Sequence, residues 1–212
     1  MKSKSLGVLR IVVMVSVVGV FTSSRAQDFP SEIFHEGKVV LDSEDTISGK
    51  IKYDLPNDLI EVITGNVVHT LTARKILNFT IFDKTVDMFR TFYSVPYNRE
   101  PNYKVAMLFE VLYEGRLSLL ARESIVQETV PQYSYYYRSP YNLSRPRLSY
   151  EYFFLDRKGN FVKYNLKKAE LLNIMDAREP QIKQYIKKNR LKVDSRRDLI
   201  RIVTYYNSLL GG

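Results

Sequence analysis

The sequence predicts an α+β protein: an antiparallel β-barrel or strongly curved sheet, further β-hairpins, and C-terminal helices packed on the sheet. Three observations point there. Apolar and polar residues alternate through the first half of the chain, which is the period of half-buried strands. Short strand-like runs recur at close spacing with polar turns between them, as in antiparallel meanders and small barrels. Near Lys167 the apolar period changes from 2 to 3.6, the mark of amphipathic helices.

Ahead of the predicted sheet lies an export signal. Lys2, Lys4 and Arg10 form a positive stretch, Ile11 to Phe21 is an uncharged and mostly apolar run, and Thr22 to Ala26 ends on a small residue with Ser24 two positions earlier. This pattern predicts a secretory signal peptide over residues 1–26, cleaved before Gln27, and a periplasmic or extracellular mature chain. A membrane anchor needs about 20 apolar residues. This run has 11. No cysteine follows it, so no lipid anchor on cysteine is expected.

The strands follow in order. Lys38 to Leu41 is strand-like and leads through the polar turn 42–45 into Thr46 to Asp54. There Ile47, Gly49, Ile51 and Tyr53 share one face, and Ser48, Lys50, Lys52 and Asp54 the other. Gly49 within a strand pattern predicts a bend or bulge. Leu59 to Ile63, Val67 to Thr72 and Ile76 to Phe82 complete a five-stranded group over 37–82, separated by Pro56-Asn57-Asp58 and Gly65-Asn66. A second group comprises Met88 to Val95, Lys104 to Tyr113, Arg116 to Arg122, Tyr150 to Leu155 and Phe161 to Leu166. Glu114-Gly115 reads as a two-residue hairpin turn in which Gly115 supplies a positive φ.

Three helices close the chain. Lys167–Ala177 carries Leu171, Leu172, Ile174 and Met175 on one face. Pro180 opens a second helix with Ile182, Tyr185 and Ile186 at helical spacing. The third runs from Ser195 to Leu210, with Ser195 and Asp198 as a capping-box-like start and Leu199, Ile202, Val203, Tyr206 and Leu210 as its stripe. The predicted organisation is a signal peptide over 1–26, a β-rich part over 27–166 with a barrel-like portion near 37–82 and hairpins over 88–166, and a docked helical segment over 167–212.

FEVLYEGRLSLLARE (109–123), YFFLDRKGNFVKYNLKKAELLNIM (152–175) and IVTYYNSLL (202–210) resemble a group of uncharacterised exported proteins of Gram-negative bacteria. That resemblance covers most of the mature chain. It implies a compartment and no activity. The run GKVVLDSEDTISGKIKYD and the strands after it, with Gly37 and Gly49, are similar in rhythm to SH3-like or Sm-like barrels over 37–82.

Composition narrows the chemistry. Without residues 1–26 the chain has 186 residues, enough for one domain, or a small domain plus an appendage, with a core of its own. Zero cysteines exclude disulfides, thiolate metal sites and a cysteine nucleophile. The formal charge of +9 falls to +5 once the signal leaves. The surplus lies between Lys167 and Arg201, where 11 basic residues face 5 acidic ones. Lys183, Lys187, Lys188, Arg190, Arg196, Arg197 and Arg201 are expected to point outward and to give at most a weak electrostatic attraction to a membrane. Nucleic acid is not an expected partner of an exported chain. The two histidines, His35 and His69, are too few for a histidine zinc site, and no HExxH, GxSxG, GxxxxGK[ST] or GxGxxG motif occurs, so no metal or cofactor is expected.

Two features remain as candidates. Glu110 sits between Phe109 and Val111 in an apolar strand. Burial would raise its pKa and suit it to acid–base work, whereas the bland reading, and the favoured one, leaves it facing solvent. The segment Val130 to Tyr152 holds seven tyrosines and three arginines, and its three prolines oppose regular structure. Tyr133, Tyr135, Tyr136, Tyr137, Arg138, Tyr141, Arg145 and Arg147 are its candidate binding residues, because tyrosine offers large contact area at low entropic cost and arginine forked donors. The favoured reading is a non-enzymatic envelope protein that binds another protein or a surface polymer. The alternative is an exported hydrolase using carboxylates.

Overall fold

The computed structural model describes residues 29–100, 103–132 and 141–211. Among the described residues ten antiparallel strands form one sheet: β1 (His35–Leu41), β2 (Thr46–Asp54), β3 (Leu59–Thr64), β4 (Val67–Thr72), β5 (Ile76–Asp83), β6 (Met88–Glu100), β7 (Tyr103–Tyr113), β8 (Leu117–Gln132), β9 (Tyr141–Asp156) and β10 (Phe161–Tyr164). Three helices follow: α1 (Lys168–Ile174), α2 (Glu179–Asn189) and α3 (Arg196–Leu209). The class is therefore α+β, with the change of period at Lys167 marking the boundary.

The sheet order is β10-β9-β8-β7-β6-β5-β1-β2-β3-β4, and the sheet is open. A closed five-stranded barrel over 37–82 does not form. A strand has two hydrogen-bonding edges, and those of β5 are taken by β1 and β6, leaving none for β4. What forms is the curved alternative. Gly37 and Gly49 face each other across β1 and β2. A Cβ on Gly37 would press on the carbonyl oxygen of Thr80, and one on Gly49 on that of Ile63. Strands that cross this closely accept only glycine there, so the pair marks the bend.

Curvature shows directly in contacts between distant strands. β2 and β8 stand five inter-strand steps apart, roughly 24 Å in a flat sheet at about 4.8 Å per step. Yet the Tyr53 hydroxyl of β2 donates to Glu123 of β8. The sheet has rolled until its first strands lie over β7 and β8.

The concave face holds two adjoining cores. Val39, Ile51, Tyr53, Ile60, Val62, Phe79, Ile81, Phe92 and Leu108 fill one, with Phe79 stacked on Phe92 at 4.5 Å between centroids. In the other, the helices lay Leu171, Met175, Ile182, Ile186, Leu199, Ile202, Val203 and Tyr206 on Leu117, Leu119, Ala121, Tyr152 and Phe154. Met107, Phe109, Leu120 and Phe153 make a smaller cluster on the convex side.

Three local expectations are corrected by packing. Gly115 has no positive φ. It is glycine because α3 comes close: a Cβ there would sit 2.6 Å from Asn207 Oδ1, and the Asn207 amide bonds both the N–H (3.0 Å) and the C=O (2.9 Å) of Leu117. At α3 the Ser195 side chain makes no cap bond. Asp198 instead accepts from the Lys192 N–H at 2.9 Å. Finally, Pro131 and Pro146 do not break the chain. β8 and β9 pair without interruption from Leu117↔Asp156 to Gln132↔Tyr141, forming a long ribbon where a loop was expected.

Candidate functional site

The β7–β8 ladder stops early. It runs only through Glu110↔Ala121, Val111↔Leu120 and Tyr113↔Leu119. Beyond Ala121, β8 pairs with β9 alone, and below Glu110, β7 pairs with β6 alone. The β6–β7 and β8–β9 hairpins therefore diverge as two arms.

The turn between β2 and β3 fills the base of the split. Continued register would set Leu108 against Glu123. Instead the Leu108 N–H donates to Asp58 Oδ1 at 2.9 Å, and the Leu108 carbonyl accepts from Arg122 Nη1 at 2.8 Å. Arg122 also donates to Asp58 Oδ1 at 2.6 Å and to the Leu55 carbonyl. A carboxylate and a guanidinium thus stand in for the missing strand partner, as buried backbone groups require.

Just outside this plug a cleft of about 420 Å³ opens between the arms. Tyr97, Met107 and Phe153 give it an apolar floor, the buried Arg122 and Glu123 line it on the side of the plug, and Arg99, Lys163 and Glu151 stand at its exposed rim. Tyr97 meets Phe109, Phe153 and Phe161 edge to face at 5.9, 5.6 and 4.9 Å. Lys163 is paired with Glu151. Arg99 is more weakly held: its Nη2 stands 3.7 Å from Asp58 Oδ2, while Arg122 bonds Oδ1, and its side chain is 58% exposed. A second cleft of about 340 Å³ lies against Tyr53 and Lys52 and shares Pro56, Glu123 and Ser124 with the first.

On the concave side, at the seam between the two cores, lies a buried charge cluster. Arg90 uses all five of its N–H groups. It donates to Glu110 Oε1 (2.9 Å) and Oε2 (2.8 Å), Asp83 Oδ2 (3.0 Å), Glu123 Oε2 (2.7 Å) and the Tyr53 hydroxyl (2.8 Å). Arg196, from the first turn of α3, reaches the same Glu110 carboxylate, with Nη1 2.9 Å from Oε2. Two guanidinium charges face three carboxylates.

Glu110 is buried, 3% exposed, against the favoured expectation of a solvent-facing acid. Its pKa moves opposite to the direction that burial alone would give. Burial raises it, but hydrogen bonds from Arg90 and then Arg196, with their charges, outweigh that and hold the carboxyl below its usual range. Asp83 is also lowered: burial raises it, and bonds from Thr85 and Arg90 overcome the effect. Burial, reinforced by Glu123, drives the Tyr53 phenol upward against the pull of Arg90, so it stays protonated. Burial and then Glu123 push Tyr150, beneath the Arg196 guanidinium, up to about 12.

The structure distributes the predicted site residues unevenly. Tyr133, Tyr135, Tyr136, Tyr137 and Arg138 lie outside the described residues. Tyr141 starts β9, opposite Gln132. Arg145 and Arg147 lie on β9 and pair with Glu128 across the ribbon at 2.9 and 3.4 Å. None of these described residues lines the cleft. Of the basic residues expected to point outward, Lys183, Lys187, Lys188, Arg190, Arg197 and Arg201 are exposed, but Arg196 is withdrawn onto Glu110. His35 is buried, donating to the Pro30 carbonyl at 2.7 Å, and His69 is exposed on β4. Among the described residues no group of three or more His, Asp or Glu could hold a metal.

Sequence reading missed the partners of Glu110 and the Asp58–Arg122 plug. One signal was present: Arg122-Glu123 interrupts an otherwise apolar run after Leu117. Charged residues inside a core strand must find partners.

Fold and site together define a class: a rolled, open antiparallel sheet, helix-covered on one half of its concave face, from which two hairpin ribbons diverge. No family model, no curated protein and no solved structure matches the chain.

Proposed function

We propose that this chain is an exported, non-enzymatic envelope protein that binds another protein, or a surface polymer, through its diverging arms. The observation that carries the reading is the β8–β9 ribbon. From Glu123 to Gln132 and from Tyr141 to Tyr150 the two strands pair only with each other. A two-stranded ribbon is at best marginally stable alone in water. This one exposes Leu143 and carries on β9 much of the Tyr/Arg-rich segment, Arg145 and Arg147 included. Covering it with a partner removes both liabilities, and export supplies the envelope as the setting. The alternative of a carboxylate hydrolase draws no support from Glu110, whose two oxygens are both held by arginines.

Shortening the arm tests the reading. Replacing Thr129–Ser144 by Asn-Gly closes the ribbon on the Glu128↔Arg145 pair with a favoured two-residue turn. The variant is expected to keep the wild-type circular dichroism and melting temperature. It is expected to lose the partners that the wild type cross-links in envelope extracts. Capture of the same partners by the shortened chain overturns the proposal.

A weak membrane attraction accompanies it. The six exposed basic residues on and around α2 and α3 contribute about 1 kcal/mol each at most near an anionic surface, and only within about 8 Å at physiological salt. Among the described residues no helix is long and apolar enough to cross a membrane. Co-sedimentation with anionic vesicles is expected at low salt and is expected to vanish at high salt. Absence of binding at low salt, or binding that high salt leaves unchanged, overturns it.

A further inference from the structure

We infer that the inner edge of β8, facing β7 across the split, is an acceptor for an extended peptide strand that carries an apolar residue followed two positions later by an acidic one. This deepens the binding reading above and rests on it.

The placement of prolines carries the argument. Proline cannot donate to a ladder, so in a strand its nitrogen must face away from the pairing partner. Pro146 of β9 lies opposite Gln127, and Pro96 of β6 lies opposite Ala106. Their nitrogens therefore face the outer edges of the two arms. By the same two-residue alternation, Ile125, Gln127 and Thr129 of β8 turn their N–H groups toward β7, and Lys104, Ala106 and Leu108 of β7 turn theirs toward β8. Leu108 confirms the parity, because its N–H meets Asp58 in the split. Both outer edges are thus blunted by proline, a standard defence against unwanted strand addition. The inner edge of β8 carries no proline until Pro131, and the described part of β7 carries none.

The surroundings select the strand. An incoming segment on β8 passes over the cleft between the arms, whose floor is Tyr97, Met107 and Phe153. Alternate side chains of a strand share a face, so a residue seated on that floor is followed, two positions on, by one at the rim. There Arg99 has donors to spare: its Nη2 stands 3.7 Å from Asp58 Oδ2, beyond hydrogen-bond reach, and its side chain is 58% exposed. Main-chain hydrogen bonds supply affinity and the pocket supplies selectivity, as in other strand-addition sites.

The test uses the mature chain and a phage-displayed library of linear dodecapeptides. Selected peptides are expected to share apolar-x-Asp/Glu. Once bound, one of them is expected to slow amide exchange at Ile125, Gln127 and Thr129. Gln127→Pro removes one inward donor, breaks no main-chain bond of the β8–β9 ladder and, like the Ser144→Pro control, gives up only the exposed Ser144–Gln127 side-chain bond; it is expected to weaken binding about tenfold, the loss of a hydrogen bond plus the bulk of the ring. Ser144→Pro, the same change on the outer edge of β9, is expected to bind within twofold of wild type. Circular dichroism and melting temperature check that both variants fold. Unchanged binding by Gln127→Pro overturns the inference, as does protection of β4 or of the outer edge of β9. Failure to select any peptide overturns it too, as does protection of the inner edge by self-association, which would make a second copy the occupant. The arm-shortening result is independent: loss of partners there with a wild-type response in Gln127→Pro leaves an arm-binding protein without strand addition.

Discussion

Arg90→Ala is expected to lower the stability of the protein by about 3–5 kcal/mol, the cost of breaking a buried ion pair by removing one partner. Arg90 is 4% exposed and bonds Glu110, Glu123, Asp83 and Tyr53. Its removal leaves three buried carboxylates with Arg196 as their remaining cation, and Arg196 touches Glu110 alone among them. For a chain of this length each kcal/mol shifts the melting temperature by roughly 2–4 °C, so the midpoint falls by about 6–20 °C. A shift under 3 °C would show that the cluster does not hold the two cores together.

The pH dependence should flatten in the same variant. In the wild type, Glu110 and Asp83 have lowered pKa values when folded. Their contribution is present above the unfolded carboxyl pKa, about 4, and is lost as pH falls through the folded values. The wild type should therefore weaken in acid. In Arg90→Ala, Glu110 keeps its bonds from Arg196 and Asp83 its bonds from Thr85, so each loses only part of what lowered it. The variant should then lose less stability than the wild type as pH falls below the unfolded carboxyl value of about 4. Urea melts at about pH 5 and about pH 3 read the difference, and a variant that loses as much stability as the wild type over that interval contradicts the mechanism.

Arg122→Leu is expected to have the next largest effect, a loss of about 3 kcal/mol. Arg122 holds Asp58 at 2.6 Å, the Leu108 carbonyl at 2.8 Å and the Leu55 carbonyl. Bonds to charged groups contribute about 1.5–3 kcal/mol each and do not add. The Leu side chain fills part of the space but takes a donor from the Leu108 carbonyl, leaves the Leu55 carbonyl with the Asp58 N–H alone, and leaves Asp58 without its buried cation. Because this plug ties the β2–β3 turn to β7 and β8, the loss should be local first. Amides of β2 and β3 should exchange faster than those under the helices, whose core lies elsewhere. Uniform acceleration across the chain would instead mean that the seam is no weaker than the rest.

Much of the fold was legible. β2 and β4 begin and end where alternation and turn residues put them, and the helix stripe of Leu199, Ile202, Val203 and Tyr206 is buried as its spacing demands. These are local properties: side-chain alternation and turn chemistry act within a few residues. The ribbon of β8 and β9 was not legible, because proline in a two-stranded arm can turn its missing donor outward, and only the pairing reveals that.

The candidate site divides the same way. Sequence alone determined that Glu110 lies in a core strand and that the Tyr/Arg-rich segment is unusual. Only the tertiary structure decided what Glu110 does. Its partners stand 20 and 86 residues away, and the direction of its pKa depends on them more than on burial. Periodicity says which residues leave water but not which of them meet. That is settled by how far the sheet rolls, through two facing glycines and a turn wedged between β7 and β8, which places Tyr53, Arg90, Glu110, Glu123 and Arg196 in one cluster.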